Sequence, residues 1–246
     1  MTIWTGHYLI IIELVIYFQI EKNPLIPQLQ NIEQLCQENQ MKINGDKTSI
    51  MLFNRSKTYD FQPQLFLGDN SLEVVETAKI LGIVLSSDLK WKAHVSYITA
   101  KARKKLWMIR RVRELGGSIS DMLTVFELQI RVLTEMACPA WNGALTGDNV
   151  HELESIQKAA VAIILNYNFK SYKKALQKLQ ISSLEFRRKE LCLKFAKKTS
   201  ETSKFDGWFR RSRETRMNRK YTLPKTRTAT YEKSPLIYLT KLLNSG

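Results

Sequence analysis

Apolar residues crowd together at 9–20 (LIIIELVIYFQI), a run rich in β-branched side chains that predicts a buried strand. Pro24 and Pro27 then punctuate the chain, and Ile26, Leu29, Ile32 and Leu35 recur at helical spacing up to Asn39. Shorter apolar stretches follow. SIMLFN (49–54) reads as a strand, QLFLGDNSLEVV (64–75) as a hairpin turning at GDNS, and AKILGIVL (78–85) as a further strand with a glycine inside it.

From Lys92 the period changes. Val95, Ile98, Ala102, Leu106, Ile109 and Arg113 share one face of a helix, while Lys101, Arg103, Lys104, Arg110 and Arg111 fall outside it. GGS at 116–118 ends that helix, and Ser120 is placed to cap the next, whose stripe is Leu123, Phe126, Ile130 and Leu133 with Met136 or Ala137. CPAWNGALTG (138–147) reads as a loop with Pro139 as its breaker. A helix over 148–165 turns Val150, Leu153, Ile156, Ala160 and Ile163 inward, and SSLE (182–185) is a capping-box pattern opening a helix through Lys198. Beyond Ser200 periodicity fades into a basic, Thr- and Arg-rich stretch with scattered aromatics. The expected class is α+β: a small antiparallel β region with a hairpin over 1–91, a mainly α-helical domain over 92–199, and a basic, largely irregular C-terminal tail over 200–246.

Charge sharpens this division. The net charge of the 246 residues is +15, yet residues 1–100 carry 8 Lys and Arg against 10 Asp and Glu, whereas 187–246 carry 17 against 5. A basic region beside a near-neutral body suits a polyanion, because each phosphate neutralised by Lys or Arg releases condensed counterions. Nucleic acid is the first partner to expect, and an anionic membrane the second. The charged face of the helix from Lys92 reads equally well as a solvated surface.

Three cysteines, Cys36, Cys138 and Cys192, are widely spaced and odd in number, which excludes a disulfide framework or a CxxC metal knuckle and fits an intracellular compartment, nucleus or cytoplasm. The run at 9–20 has no basic region before it, is interrupted by Glu13, lacks a small-residue cleavage site and is too short to span a bilayer.

Catalytic motifs are missing. There is no GxGxxG or GxxxxGK[ST] phosphate loop, no GxSxG elbow and no HExxH, and the histidines His7, His94 and His151 are scattered. No DD, DxD or ED pair occurs, although two-metal phosphoryl transfer needs paired acids to hold its ions. His94, three residues after Trp91 at the first turn of a helix, has no carboxylate or nucleophile at a useful spacing and reads as a packing residue. Trp141 reads as a core anchor.

Four segments in order, ENQMKINGDKTSIMLFN (38–54), KILGIVLSSDLKWKAHV (79–95), RVLTEMACPAWNGALT (131–146) and LESIQKAAVAIIL (153–165), resemble the downstream half of the reverse transcriptase of LINE-type, Jockey-like non-LTR retrotransposons. LEFRRKELCLKFAKK (184–198) and YTLPKTRTATYEKSPLIYL (221–239) are similar to that family's C-terminal ending, so the resemblance covers about 36–240. It implies that NQMKINGDKT is the fourth palm motif, with Lys47 at the lysine that helps protonate departing pyrophosphate. KILGIVL then lies at the hairpin that grips the primer, and the helices from Lys92 form the thumb. It also implies nucleic-acid contact for Lys79, Lys101, Arg103, Lys104, Arg110, Arg111, Arg187 and Arg188, and motif roles for Gly82, Trp91, His94, Pro139 and Trp141, with His94 packing between primer grip and thumb.

The sequence departs from the family at the metal site. Intact members hold Mg2+ with an aromatic-x-Asp-Asp turn roughly thirty residues before the MKIN motif. Aligning LIIIEL (9–14) with the strand after that turn puts His7 and Tyr8 where the aspartates should be. KAAVAIIL (158–165) is a second departure, poorer in Arg and Lys than its relatives. The resulting expectation is a truncated, catalytically silent polymerase fragment, without catalytic residues, metal or cofactor of its own, that retains template–primer binding. Alternatives are a host-retained, non-catalytic nucleic-acid-binding or interaction module derived from the thumb, and a partner chain that completes a polymerase.

Overall fold

A computed structural model describes residues 15–16, 25–41, 48–51, 66–67, 70–205, 207–212 and 220–245. The chain divides into two compact units, Met1–Lys90 and Trp91–Gly246.

In the first unit, β1 (Val15–Ile16), α1 (Leu25–Glu38), β2 (Ser49–Ile50), β3 (Phe66–Leu67), β4 (Asn70–Ser71), β5 (Glu73–Val74), β6 (Thr77–Ile80) and β7 (Ile83–Ser86) follow one another. Strands β1, β2 and β5 make a sheet in that order, and both pairings are parallel, with Val15 opposite Ser49 and Ser49 opposite Glu73. Among the described residues of this unit, the expected antiparallel pairing is found in two hairpins, β3–β4 and β6–β7. The parallel pairing of β1 with β2 rests on α1: parallel strands need a long crossover, and a helix between β1 and β2 supplies it. Ile50 and Met51 are fully buried, and Cys36 of α1 is buried, while Leu35, expected inward, is 55% exposed.

The GDNS hairpin forms as β3–β4, its Gly68–Asp69 turn lying outside the described residues. KILGIVL is not one strand. Ile80 pairs with Ile83, so Leu81 and Gly82 are a two-residue turn, and both have positive φ, +47° and +87°. That is the twist a tight hairpin requires, with glycine taking the second left-handed position without steric penalty.

The second unit is helical: α2 (Lys92–Glu114), α3 (Ile119–Val125), a π-helical segment Phe126–Arg131, α4 (Val132–Glu135), α5 (Cys138–Trp141), α6 (Gly147–Ile164), α7 (Tyr172–Leu179), α8 (Leu184–Ser200), α9 (Ala229–Glu232) and α10 (Pro235–Ser245). Helix α2 runs through two cores. Val95 and Ile98 pack with Cys138, Trp141, Leu153, Cys192, Leu239 and Leu242, while Ala102, Leu106 and Ile109 pack with Met122, Phe126, Ile130, Ile156 and Ala160. The inward stripe is the one the 3.6-residue spacing predicts, and each buried Val, Leu or Ile stabilises by roughly 1.5–3 kcal/mol.

Helix ends depart from expectation in instructive ways. The cap of α3 is Ser118, not Ser120: its hydroxyl accepts from Asp121 N–H at 3.1 Å and the Asp121 carboxylate accepts from Ser118 N–H at 2.8 Å. Pro139 does not break a loop but sits in the first turn of α5, where its missing N–H leaves no intrahelical bond unmade. Ser183 caps α8 through Phe186 N–H at 3.2 Å. The carboxylate that completes this cap is not Glu185 but Glu154 of α6, which accepts from Leu184 N–H and Glu185 N–H.

The tail, expected to be largely irregular, ends in an ordered helix that joins the core. Helix α10 buries Ile237, Leu239, Leu242 and Leu243, and belongs to the core around Trp141 and Cys192. Asn142 Nδ2 donates to Tyr238 Oη at 2.8 Å, and Asn244 side-chain atoms bond both the N–H and the carbonyl of Tyr221 at 2.9 Å. Apolar residues on one face of an eleven-residue helix outweigh the basic composition around it.

Candidate nucleic-acid interface

Between Lys92 and Arg113 the chain carries Lys92, Lys101, Arg103, Lys104, Lys105, Arg110, Arg111 and Arg113 and not one acidic residue. Helical spacing divides these cations by function. Lys105 turns aside to Gln129 Oε1 at 3.0 Å, and Arg113 Nη1 donates to Ile163 O at 3.2 Å, tying α2 to its neighbours. Lys92, Lys101, Arg103, Lys104, Arg110 and Arg111 are exposed. Their contacts are slight: Lys101 Nζ lies 4.8 Å from the Tyr97 ring centroid, Arg103 Nη2 lies 3.4 Å from Ser155 Oγ, and Arg111 pairs with Glu114 at 3.2 Å across two well-exposed side chains. An exposed pair of this kind contributes little and is readily exchanged for a phosphate.

From Lys101 to Arg111 the helix rises about 15 Å, or four to five nucleotide steps of one strand at about 3.4 Å each. The opposite side of the same turns is Ala102, Leu106 and Ile109, all in the core. The positive face is therefore held on a rigid support. Trp107 stands in the middle of it, 59% exposed, a residue the sequence reading passed over although its spacing from Arg103, Lys104, Arg110 and Arg111 was visible.

Arg187 and Arg188 do not join this face as free cations. Arg187 grips Glu135 with two bonds of 2.6 and 3.2 Å, and that pairing holds its guanidinium pKa above the usual value. Arg188 is fully buried and cannot reach a surface ligand. Its Nε donates to Asn142 Oδ1 at 3.0 Å and its guanidinium lies 5.9 Å from the Trp141 ring centroid. Burial alone lowers its pKa, so the charge is a costly one to keep. In a basic helix the sequence offers two adjacent arginines; the packing of α8 against α5 decides which points inward.

His94 is likewise buried, in edge-to-face contact with Trp91 at 6.0 Å and Trp141 at 5.4 Å between centroids. Desolvation pushes its pKa down to about 4, so at neutral pH it is an uncharged ring in an aromatic stack. Trp141 is 1% exposed, with Nε1–H donating to Met136 O at 3.0 Å. KAAVAIIL carries a single cation, Lys158, for a physical reason: Ala160, Val161, Ile163, Ile164 and Leu165 are all buried.

In the first unit Lys79 is an exposed residue of β6, two positions before the Leu81–Gly82 turn. His7, Tyr8 and Lys47 lie outside the described residues. Among the described residues no cluster of His, Cys, Asp and Glu has the makings of a metal site, and no helix is long and apolar enough to cross a membrane. The sequence has no DD, DxD or ED pair; the acids that stand one residue apart are Glu152 and Glu154 of α6. In comparisons with known proteins, no family model, curated protein or solved structure matches the chain.

Proposed function

We propose that this chain is a non-catalytic counterpart of the primer-grip and thumb part of a non-LTR retrotransposon reverse transcriptase, and that its helical unit binds nucleic acid through the outer face of α2. The observation that carries the binding reading is the row of exposed cations Lys101, Arg103, Lys104, Arg110 and Arg111, uninterrupted by an acid, on a helix whose other side is core. The polymerase kinship is supported by the order and spacing of the sequence segments described above, from MKIN to LESIQKAA.

Phosphates are the partner such a face recognises. Contacts of this kind position a strand without reading its bases, so affinity is broad in sequence and steep in salt. Nucleotide transfer requires ions to neutralise charge on the transferring phosphoryl group, and the sequence offers no DD, DxD or ED pair to hold them. The His94 ring contributes packing, not proton transfer.

The test has two arms on the full chain. Binding to an RNA–DNA hybrid, followed by anisotropy from low to physiological salt, is expected to weaken steeply. Primer extension with Mg2+ and deoxynucleotides is expected to give no product. Affinity indifferent to salt removes the binding reading, and metal-dependent extension by the chain alone removes the non-catalytic one.

A further inference from the structure

We infer that Trp107 is a stacking platform for an unpaired nucleobase, so that the face of α2 prefers a single strand to a closed duplex. This rests on the proposed binding of nucleic acid and names the form of nucleic acid that is bound.

Trp107 is 59% exposed in the middle of a 23-residue helix whose inward residues are well buried. Residues three and four positions away on a helix are its surface neighbours. For Trp107 these are Arg103, Lys104, Arg110 and Arg111, so an apolar ring is surrounded by cations on both sides along the axis. No acid lies on this face before Glu114. A lone exposed apolar side chain needs no explanation, but this one coincides with the centre of the positive row.

Charge complementarity selects the occupant. Two pairs of cations about 10 Å apart along the helix span the phosphates of roughly three nucleotides, leaving the ring opposite the base between them. In a duplex every base face is already stacked, and a side chain on a convex helix meets only edges and backbone. In a single strand the base can turn onto the indole, a contact tolerant of sequence because every base has a π-face. The phosphate row supplies affinity; the ring supplies the preference for an unpaired strand.

The full chain is titrated with a fluorescein-labelled oligothymidylate and with a blunt duplex of equal length, at one fixed salt, using wild type, Trp107→Ala, Trp107→Phe and a quadruple variant with Gln at 103, 104, 110 and 111. Thermal melting checks folding, which an exposed position leaves intact. Trp107→Ala is expected to weaken the single-strand complex about tenfold, to leave the duplex within about twofold, and to lose most of the tryptophan quenching seen on binding; Trp107→Phe retains most of the affinity. If the quadruple variant loses binding while Trp107→Ala binds the single strand like wild type, stacking is overturned and the phosphate face stands. If wild type binds neither oligonucleotide, both readings fall. An equal loss for both nucleic acids overturns the preference, as does tighter binding to phosphatidylserine–phosphatidylcholine vesicles with a blue shift that Trp107→Ala abolishes.

Discussion

Arg187 Nε lies 2.6 Å from Glu135 Oε1, joining α8 to α4 through a carboxylate that also stands 3.7 Å from Arg131 Nε. Glu135 is largely shielded, its side chain 12% exposed, so these are charge-assisted bonds with little screening. Glu135→Gln is expected to lower the unfolding free energy by about 2 kcal/mol, measured by urea denaturation, without weakening nucleic-acid binding. A rise in affinity would indicate that the released arginines can join the binding face.

Arg188 differs from its neighbour in that it faces the core. Arg188→Met, which keeps much of the volume and removes the charge, is expected to leave hybrid affinity and its salt dependence unchanged, because a fully buried guanidinium touches no ligand. The same oligonucleotide titration that reads the α2 variants checks this. Arg188→Ala instead leaves a cavity beside Trp141 and Asn142 and costs several kcal/mol in denaturation.

Acid should find a weak point at His94. Burial lowers its folded-state pKa from 6.5 to about 4, so the neutral ring is favoured by folding. Its contribution is fully present above pH 6.5 and is lost as pH falls toward 4, at roughly 1.4 kcal/mol per unit. Stability measured by urea denaturation between pH 7.5 and 4.5 is expected to fall more steeply for wild type than for His94→Gln, which cannot titrate. Parallel curves would mean that the ring titrates in the folded state as it does in the unfolded chain, and would contradict its burial as a neutral group.

Docking of the C-terminal helix depends on a glycine. A Cβ at Gly143 would stand 2.5 Å from both Cβ and Cγ of Tyr238 in α10, so Gly143→Ala must push the helix away. A loss of about 1–3 kcal/mol is expected, together with faster proteolysis near residues 235–245. An unchanged cleavage rate would contradict the packing of α10 described above.

Much of α2 was legible, because Val95, Ile98, Ala102, Leu106 and Ile109 repeat at the helical period and the cations fall between them. Partners distant in the chain were not. SSLE looks self-contained, yet its carboxylate comes from Glu154, thirty residues earlier. KILGIVL carries none of the Asn-Gly or Asp-Gly signals of a two-residue turn, so its apolar continuity hid the Leu81–Gly82 reversal. The C-terminal helix was hidden by the basic composition around it, although Pro235 followed by Ile237, Leu239, Leu242 and Leu243 marks a helix start and its buried side chains. Arg187 and Arg188 were alike in type and adjacent in sequence; only the position of Glu135, Asn142 and Trp141 separates them.

The central claim is that the exposed cations of α2 hold phosphates, and salt dependence reads it most directly. Each phosphate contact contributes about 0.9 to the slope of log K against log salt on duplex nucleic acid, and about 0.7 on a single strand. Replacing Arg103, Lys104, Arg110 and Arg111 together by Gln is expected to make that slope shallower by about three while the melting temperature holds. A variant with the slope and affinity of wild type would place the binding elsewhere and contradict the account.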